Sequence, residues 1–553
     1  PAAVTALSGA DLVVTGVTDL RGVQMYVPQV RFQAQGNNTQ VFVRGVGTGL
    51  DLPNIEPSVG FIVNGAYVPR EASSAALFDV AQLEVLPGPQ GTLYGRSAIG
   101  GTVGVTFNRP TQDNNGSILM EAGNYSFGHV GYAQNLPLGE DFAARVAVDS
   151  NYREGYMASG ADSRRDNGIR VSGLYTPGET LSLYAWAQYL SKGGHPANLV
   201  NKGFDPATDE YSENAFLHDD PWNDTRTGDL EPLAIFGQPQ GDQQRYDTFM
   251  AGAELGWTLG QVRMTYIPAY LWLDSSPQYW LGGIRAQLNA HHNQLSQELR
   301  FANAEPGRVN WLAGVYSYEL RNDGPFYLFT NQPFQFPQSD IRHNSISSLA
   351  AFGEATLSVT DALRLTVGGR YSRDERDADG VAPPAVGTGP FEFSRTFSNV
   401  DWKLGAEYDL APDMLLYAAV QTGYKPGTYN EVPSTPEFDN LVRESTLTAW
   451  TTGLKTRLAG GALQVNTELY YYDYKDLQIQ AYSVSAPFNP VFNAQKIEIY
   501  GAQVDVLWAV SANGLLSFNA AYSKAENKEF VAPDGSDYSG LAPPYAPEWT
   551  LLG

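Results

Sequence analysis

Three groups of residues in this sequence have types and spacings that could support chemistry. The first is the stretch "LEVLPGPQGTLYGRSAIGGTVGVTFNRP" (83–110), whose Gly-x-x-Gly spacing is like that of a phosphate-binding loop. A Walker loop requires Gly-Lys-Ser/Thr after its second glycine, and Gly95-Arg96-Ser97 stands at the wrong spacing. We therefore interpret the glycines as sites of tight turns and close chain approach.

The second and third groups could ligate metals. His291 and His292 are adjacent, and neighbours in a strand face opposite sides, so both could bind one metal or haem only in an irregular segment. The segment "HDDPWND" (218–224) carries Asp219, Asp220 and Asp224, which could hold a divalent cation. Such a run is more often a solvated surface loop. We predict no metal site and no cofactor.

The composition excludes several functional classes. The chain has 553 residues and no cysteine, which removes thiolate ligands, cysteine nucleophiles and disulfides. Its net charge of −24 speaks against nucleic acid as a partner, because phosphates require a basic surface. No Ser-His arrangement stands in a recognisable catalytic context, so we predict no catalytic residue and no enzyme. No apolar run approaches the roughly 20 residues of a membrane-spanning helix.

From residue 117 onward the chain repeats one sequence pattern, in which apolar and polar side chains alternate over segments of about ten residues. In 363–373, Leu365, Val367 and Tyr371 share one face, whereas Arg364 and Arg370 share the other. A period of two predicts strands with one face toward an apolar medium and the other toward water. A soluble all-β protein also alternates, but here the polar faces carry full charges strand after strand.

The connections between these segments are asymmetric. Some are minimal, such as 176–179 and 409–413, and others are long, polar and aromatic, such as 191–245 and 323–343. Short turns at one end and long loops at the other are typical of an outer-membrane barrel. The tyrosine-rich run 470–474 would suit its aromatic girdle.

The first part of the chain has many glycines and little alternation, which indicates a separate small α+β domain. We predict a plug domain at 1–112 and a transmembrane β-barrel at 113–553. A large barrel would otherwise be an open aqueous channel, so a preceding domain indicates a transporter whose pore is occupied.

At this point the chain resembles the TonB-dependent outer-membrane transporters along its whole length. The fragments that carry the resemblance are "PAAVTALSGADL" (1–12), "VFVRGVGTG" (41–49), "EPSVGFIVNGAYV" (56–68), 83–110, "LSQELRFAN" (295–303), "LAAFGEATLSVTDALRLTVGGRYSRDERD" (349–377), "YAAVQTGYKPGTYNE" (417–431) and "YYYDYKDLQIQ" (470–480). Their order and spacing together are specific, although each fragment alone is modest evidence.

The resemblance implies an all-β membrane fold, a large antiparallel barrel of about 22 strands when complete, filled by the α+β plug. It also implies that the last strands are absent from the given chain and that the TonB box lies before Pro1. The implied function is active import of a scarce, bulky nutrient, most often a ferric siderophore. The implied partners are the TonB–ExbB–ExbD complex, the small-molecule ligand, and the lipid and lipopolysaccharide of a Gram-negative outer membrane.

The chain departs from the family at Pro87, where the family usually has arginine. In the family that arginine and the one matching Arg44 pair with two glutamates of the barrel wall, here Glu298 and Glu354. We predict that Arg44 alone bridges both glutamates, which would raise the pKa of one carboxylate because two like charges share one cation.

The resemblance places the ligand at the plug apex and in the extracellular loops. Arg70 and Tyr67 suit an anionic, aromatic-rich ligand, because arginine offers a fixed fork of donors and tyrosine a flat surface. Alternatively, Arg70 braces the barrel wall. The loop 324–338 has five aromatic residues, which indicates binding or packing onto other loops. The predicted ligand contacts are Thr48, Asp51, Asn54, Tyr67, Arg70, Glu71 and Phe78 in the plug and Phe326, Tyr327, Phe329, Phe334 and Phe336 in the loop.

Two other functions remain open from the sequence. The same fold could import an iron-free cargo, such as an oligosaccharide, a plant-derived aromatic or another hydrophobic compound, since specificity resides in variable loops. A passive porin is less favoured, because a passive pore has no use for a plug.

Overall fold

The computed structural model describes residues 5–17, 19–35, 38–49, 54–73, 77–196, 203–205, 210–212, 222, 244–281, 284–329, 336–382, 389–431, 440–480, 491–531 and 535–553. Within these ranges the protein has a small N-terminal domain and a barrel of strands. No helix in the described part is long and apolar enough to span a membrane.

The N-terminal domain is built on a five-stranded sheet with the order β1-β7-β8-β5-β6 and a second sheet with the order β2-β3-β4. Strands β5 and β8 run parallel, and the other neighbours run antiparallel. The elements are β1 (Thr5–Ser8), α1 (Gly9–Val14), α2 (Leu20–Val23), β2 (Val30–Gln35), β3 (Asn38–Val43), β4 (Val46–Gly47), β5 (Val59–Val63), β6 (Ala66–Val68), α3 (Arg70–Ser73), β7 (Val80–Pro87) and β8 (Gly101–Phe107).

Local chemistry and packing explain these elements. Helix α1 begins with a capping box, in which Asp11 N donates to Ser8 Oγ at 3.1 Å and Ser8 N donates to Asp11 Oδ2 at 2.9 Å. The sheet buries Val63, Leu83 and Val103 completely. The same apolar cluster continues into the barrel wall at Tyr184, Trp186, Tyr246, Met250, Leu271 and Leu273, so the plug and the wall share one core.

The remaining strands are β9 (Gly116–Gly123), β10 (Phe127–Pro137), β11 (Phe142–Arg153), β12 (Arg164–Tyr175), β13 (Leu181–Gly194), β14 (Gly203–Asp205), β15 (Glu210–Ser212), β16 (Gln244–Leu259), β17 (Val262–Ser275), β18 (Gln278–Leu281), β19 (Ile284–Leu288), β20 (Ala290–Asn303), β21 (Val309–Phe329), β22 (Phe336–Ser358), β23 (Leu363–Ala382), β24 (Gly389–Ala411), β25 (Met414–Lys425), β26 (Thr428–Tyr429), β27 (Leu441–Val442), β28 (Ser445–Leu458), β29 (Leu463–Gln480), β30 (Val491–Ser511), β31 (Gly514–Glu529) and β32 (Trp549–Leu552).

Twenty of these strands belong to one closed, antiparallel barrel sheet, in which β32 lies next to β9. Eighteen of them form the main wall, and the short strands β18 and β19 extend it beside β21. The residue-by-residue registers of the described residues join β9 to β10 and β32 to β31. The short pairs β14–β15, β18–β19 and β26–β27 lie in the long connections. The predicted division at 112/113 falls between β8 and β9 and stays a prediction.

The period-two prediction for the wall is confirmed. In β23, Leu365, Val367 and Tyr371 are exposed on the outside, whereas Arg370 and Asp374 are buried on the inside. Outward aromatics form two belts. Phe142, Tyr175, Trp257, Trp311, Tyr408 and Trp508 lie near the short-turn end, and Tyr152, Tyr189, Tyr270, Tyr371, Trp450, Tyr471 and Tyr500 lie toward the long-loop end.

The prediction that the run 470–474 forms a girdle is wrong for three of its members. Tyr470, Tyr472 and Tyr474 are buried on the lumenal side and pack against Val46 and Ile99 of the plug. Only Tyr471, with 37% of its surface exposed, points outward. The alternation of a strand decides this, because consecutive side chains cannot all face lipid.

The glycine-rich stretch brings the plug backbone against the wall. Gly95 has φ +68°, and a Cβ placed there would lie 2.3 Å from Arg370 Cζ on β23. A Cβ at Gly91 would lie 2.8 Å from the carboxylate of Asp401 on β24. The interpretation of this stretch as a segment of close approach is therefore confirmed at these positions.

We expect Gly95→Ala to lower the free energy of unfolding by about 2 kcal/mol, because it adds a strained φ and forces the guanidinium group of Arg370 to shift. The matched control is Gly460→Ala: Gly460 has φ +66°, but a Cβ placed there would have no neighbouring atom within 4 Å. That change should cost about 1 kcal/mol. Denaturant unfolding in detergent measures both, and equal losses would contradict the close contact.

Candidate functional site: the contacts between plug and wall

The centre of the plug–wall contact is a buried network of charges, here called the central network, made of Glu56, Arg96, Asp374 and Arg376. Arg96 Nε donates to Glu56 Oε1 at 2.8 Å, and Arg96 Nη1 donates to Asp374 Oδ1 at 3.0 Å. Arg376 Nη2 lies 2.6 Å from Glu56 Oε2. Glu56 and Arg96 belong to the plug, whereas Asp374 and Arg376 belong to β23. The network therefore ties the two domains together through fully desolvated groups.

The plug carboxylate at the centre is held ionised. Burial alone raises the pKa of Glu56, but the guanidinium groups of Arg96 and Arg376 outweigh burial and hold that pKa below its usual range. Arg96 also lies over the ring of Tyr318 at 4.6 Å. Arg96 is thus the plug cation of the network, and its Gly-Arg-Ser context serves packing and not phosphate binding.

Sequence reasoning missed the central network, although a signal for it was present. Alternation places Arg364 and Arg370 of β23 on the polar face, and the same period continues to Asp374 and Arg376. The plug partner Glu56 stands at the start of the fragment "EPSVGFIVNGAYV". The pairing itself depends on the position of the plug within the barrel, and no local sequence pattern indicates that position.

The predicted bridge from Arg44 to Glu298 and Glu354 is wrong. Arg44 Nη2 donates to Glu468 Oε1 on β29 at 2.6 Å, and Arg44 Nη1 donates to Tyr472 OH at 2.7 Å. Its guanidinium also stacks on Tyr470 at 3.9 Å. Arg44 does bind the wall, as predicted, but at a different strand.

The two glutamates have other partners. Glu298 Oε1 lies 2.7 Å from Arg300 Nε, and Glu354 Oε2 accepts a hydrogen bond from Lys403 Nζ at 3.0 Å. Each carboxylate therefore has its own cation within the wall. The predicted sharing of one cation by two carboxylates does not occur.

A third contact fixes the start of β7 to the wall. Arg145 of β11 donates to Asp79 through Nε at 2.8 Å and Nη2 at 2.6 Å. The guanidinium of Arg170 on β12 lies 4.3 Å from the ring centroid of Phe78 and 3.2 Å from that of Phe107. Phe78 is buried against the wall, so this candidate ligand contact has a packing role in the structure.

The candidates Tyr67, Arg70 and Glu71 lie together beside β20 and β21. Tyr67 is buried, accepts at its carbonyl oxygen a hydrogen bond from Gln294 Nε2 at 2.7 Å and meets the ring of Tyr318 edge-on at 5.7 Å. Arg70 Nη2 donates to Glu71 Oε1 at 3.0 Å. Burial alone would raise the pKa of Glu71. The neighbouring Arg70 and His292 have a larger effect, so the pKa of Glu71 lies below its usual range.

The candidates Thr48 and Asn54 connect the plug loop to the wall near the central network. Lys425 Nζ donates to Thr48 Oγ1 at 3.2 Å. The carbonyl oxygen of Asn54 accepts from Thr428 Oγ1 at 2.6 Å and from Arg376 Nη1 at 3.1 Å. Arg376 therefore joins this loop directly to Glu56.

The other candidate contacts cannot be placed in full. Asp51 and Phe334 lie outside the described residues, as do Asp219, Asp220 and Asp224. For Phe326, Tyr327, Phe329 and Phe336 the structure describes the backbone, in β21 and β22, and not the side chains. Their roles stay predictions.

Sequence reasoning also missed an aromatic cluster near the long-loop end. Phe391, Phe393 and Phe397 of β24 pack with Tyr424 and Tyr429, and the rings of Phe393 and Tyr429 lie 5.0 Å apart. Tyr429 is next to Thr428, which binds Asn54. The alternating phenylalanines in "PFEFSRTF" (390–397) were a signal for this inward aromatic face.

The histidine pair behaves as the strand rule predicts. His291 is exposed and its Nδ1 lies 2.8 Å from Asp274 Oδ1, whereas His292 is buried on the other face of β20. No group of three or more His, Asp or Glu side chains within the described ranges is arranged to hold a metal ion.

Comparison with known families decides the class of protein. Residues 1–102 match the model of the TonB-dependent receptor plug domain, and residues 87–551 match that of the TonB-dependent receptor-like β-barrel. The chain belongs to the TonB-dependent receptor family. This family is one of outer-membrane receptors of Gram-negative bacteria and is not a class of enzymes.

Individual members of the family are similar over most of their length. The pesticin receptor of Yersinia pestis is 26% identical over 572 residues, which cover 99% of this chain and 77% of that protein. The crystal structure of the ferric yersiniabactin uptake receptor from Yersinia pestis has a TM-score of 0.83 at 21% identity, covering 100% of this chain and 82% of the other. The siderophore receptor PiuA from Acinetobacter baumannii has a TM-score of 0.79 at 14% identity, covering 100% and 84%.

We expect Glu56→Gln to destabilise this TonB-dependent receptor by about 3 kcal/mol, because it leaves two buried guanidinium groups without their shared carboxylate. The matched control is Glu375→Gln in the same strand as Asp374. Glu375 is 47% exposed and pairs with Arg373 on the outside, so its loss should cost under about 1 kcal/mol. Thermal or denaturant unfolding in detergent measures the difference, and equal costs would contradict the network's role.

The pH dependence of stability provides a second test of Glu56. A carboxyl group with a depressed pKa contributes stability above its unfolded pKa of about 4.3, and loses it as the pH falls through the folded pKa. The wild type should therefore exceed Glu56→Gln in stability at pH 7, and the gap should shrink below about pH 4. A gap that stays constant from neutral to acid conditions would show that the Glu56 charge is not responsible.

Proposed function

We propose that this receptor imports a ferric siderophore across the outer membrane, with energy from the proton-motive force delivered by the TonB–ExbB–ExbD complex. The observation that carries the proposal is the plug seated inside the barrel through buried charges, since a passive pore gains nothing from such an obstruction. The relatives named for ferric yersiniabactin, ferrioxamine B and siderophores support an iron-loaded cargo. The import needs no catalytic residue and no cofactor of its own.

In this proposal the ligand binds at the long-loop end, which faces the cell exterior in outer-membrane barrels. Thr48, Asn54, Tyr67, Arg70 and Glu71 are the plug residues that we propose to respond to it. All are closely packed in the present arrangement, so ligand contact requires that the apex shift. Asp51, Phe78 and the aromatics Phe326, Tyr327, Phe329, Phe334 and Phe336 remain candidates for the same role.

The contacts of the apex supply a route from the ligand to the plug core. An anionic ligand near Asn54 and Thr48 would compete for Arg376 Nη1 and Lys425 Nζ, which now donate to these two residues. Arg376 also holds Glu56, so drawing it toward the ligand weakens the central network. The network would then be loosened only when cargo is bound, and the TonB complex would complete the movement.

The test is uptake of radioactive iron by cells that lack other receptors, grown in iron-poor medium with ferric catecholate, phenolate or hydroxamate probes. We expect uptake of at least one probe, abolished by an uncoupler. Arg376→Gln should reduce this uptake about tenfold or more, because it removes the cation that connects Asn54 to Glu56, and a tenfold loss corresponds to about 1.4 kcal/mol. The control Arg373→Gln, exposed on the outer face, should transport normally.

Two results would contradict the proposal. No uptake of any iron probe, together with expression that does not respond to iron, would favour an iron-free cargo such as an oligosaccharide or an aromatic compound. Uptake that persists after the uncoupler would favour a passive pore.

A further inference from the structure

A cavity lies between the plug and the wall on the side of β9, β10 and β11. It encloses about 560 Å³, within the range of about 300–1,000 Å³ that is typical of small-molecule sites. Helix α1 and the start of β7 line it on the plug side, and residues of the three strands line it on the wall side. The apex residue Tyr67 lies against β20 and β21, on another side of the lumen. This cavity, here called the side cavity, is therefore separate from the apex.

The plug side of the side cavity presents uncovered apolar groups. Val13 and Val14 of α1 are 52% and 86% exposed, and Leu77 belongs to the same lining. Apolar side chains that stay in contact with water are unfavourable, and a group of them is typical of a binding surface. The plug side therefore suits the apolar part of a ligand.

The wall side of the side cavity is polar. Asn151 is 5% exposed, and its side-chain oxygen has no hydrogen-bond partner within the described part of the chain. A buried acceptor without a donor is costly, so this group favours a ligand that brings an N–H or O–H group. His129 lies 2.6 Å from Glu121 through Nδ1 and 2.7 Å from Asp149 through Nε2. Ionised carboxylates only accept hydrogen bonds, so both ring nitrogens donate, and the cationic His129 offsets part of the negative charge of this wall.

A group of charges, here called the outer cluster, lies at the long-loop end of the side cavity. Its members are Asp19 and Arg21 of the plug and Arg153, Asp162 and Arg164 of the barrel. Asp19 comes two residues after Val17 of the cavity lining, and Arg153 comes two residues after Asn151 on the same face of β11. Arg21 Nη1 lies 3.3 Å from Asp162 Oδ2, and Arg164 Nη2 pairs with Asp19 Oδ2. These pairs join α2 of the plug to the connection between β11 and β12, and so lie between the cavity and the loops.

The outer cluster has an excess of positive charge in an acidic protein. It contains three guanidinium groups and two carboxylates, whereas the whole chain has a net charge of −24. The neighbouring Asp166 does not cancel this excess, because Lys192 offsets its charge. The guanidinium group of Arg153 lies 3.5 Å from the ring centroid of Tyr156, and the exposed rings of Tyr156 and Tyr125 meet edge-on at 4.9 Å. Arginine forks beside aromatic rings suit a ligand that combines negative charge with aromatic groups.

We propose that the side cavity is a second binding site for the cargo, and that an anionic ferric chelate with aromatic groups enters it through the outer cluster. This inference rests on the proposed import of a ferric siderophore, and it names the class of chelate. The anionic chelate takes the place of Asp19 and Asp162 at the arginines, which releases the loop from the plug and opens the cavity. The apolar part of the chelate then lies against the valines of α1, and Asn151 accepts from its N–H or O–H groups. A neutral, aliphatic ferric hydroxamate gains less from this entrance.

The side cavity is tested with Gly131→Cys, since the chain has no other cysteine. A Cβ placed at Gly131 would lie 3.5 Å from Asp149 Oδ2, an ordinary contact, so the new side chain points into the cavity. Uptake of a ferric catecholate or phenolate by this variant should be lost after modification with a bulky methanethiosulfonate and should return after reduction. Binding of the chelate to de-energised cells should persist, because the apex stays accessible. The matched control is Val130→Cys on the lipid face of the same strand, where modification should leave uptake unchanged.

The outer cluster is tested with Arg153→Gln, which should raise the chelate concentration for half-maximal uptake about tenfold, the usual effect of one lost charge-assisted contact. Its matched control is Arg165→Gln, exposed on the outer face of β12, and gel mobility before and after heating verifies folding. Equal uptake by modified and unmodified Gly131→Cys, with the modification verified by mass spectrometry, would overturn the second site. Import of ferric hydroxamates alone would overturn the class of chelate. No uptake of any iron probe by the wild type would contradict the import proposal itself, and this inference with it.

Discussion

The seating of the plug depends on charges that are removed from water on both sides of a domain boundary. Glu56 lies between Arg96 of its own domain and Arg376 of the wall, and Arg96 reaches on to Asp374. Desolvation of such groups costs about as much as their attraction returns, so a complete network contributes little net stability, whereas an incomplete one is strongly unfavourable. The network therefore specifies one position of the plug more than it strengthens the protein. Arg44 with Glu468 and Asp79 with Arg145 repeat the principle at two other strands.

This constraint explains the composition of the surrounding elements. The wall must present polar residues inward and apolar residues outward, and the plug must approach it closely enough to exclude water from the charges. Gly95 permits that approach at Arg370, as Gly91 does at Asp401. Tyrosines such as Tyr318 and Tyr472 suit the interface because each offers an apolar ring and a hydroxyl group. Charged contacts are also compatible with the proposed movement of the plug, because charged groups that are released into a wet lumen regain hydration.

The fold could be predicted from the sequence because its main signal is local. Alternation in β23 assigns Leu365 and Val367 to lipid and Arg370 to the lumen without any knowledge of the partner. The turns and the two domains follow from composition in the same way. The girdle interpretation of the run 470–474 is wrong because it weighs residue type above alternation, and the strand geometry places Tyr470, Tyr472 and Tyr474 inside.

The partners across the domain boundary could not be predicted in this way. Arg44 binds the wall as expected, but its choice of Glu468 over Glu298 and Glu354 depends on how the plug is rotated within the barrel, which is a global property of two packed domains. The pairing of Glu56 with Arg376 could not be predicted for the same reason. The two residues are distant in the chain, and no sequence pattern near either of them indicates the partner.

In the proposed mechanism, transport requires the plug to move away from its contacts with the barrel wall. The chain has no cysteine, so Asn54→Cys with Thr428→Cys introduces the only possible disulfide, at a position where the two residues are already hydrogen-bonded. Iron uptake by cells carrying this variant should be lost when the disulfide is formed and restored by a reducing agent, whereas the uptake of each single cysteine variant should not change with the reducing agent. Full uptake by the oxidised, verified cross-linked receptor would contradict the account.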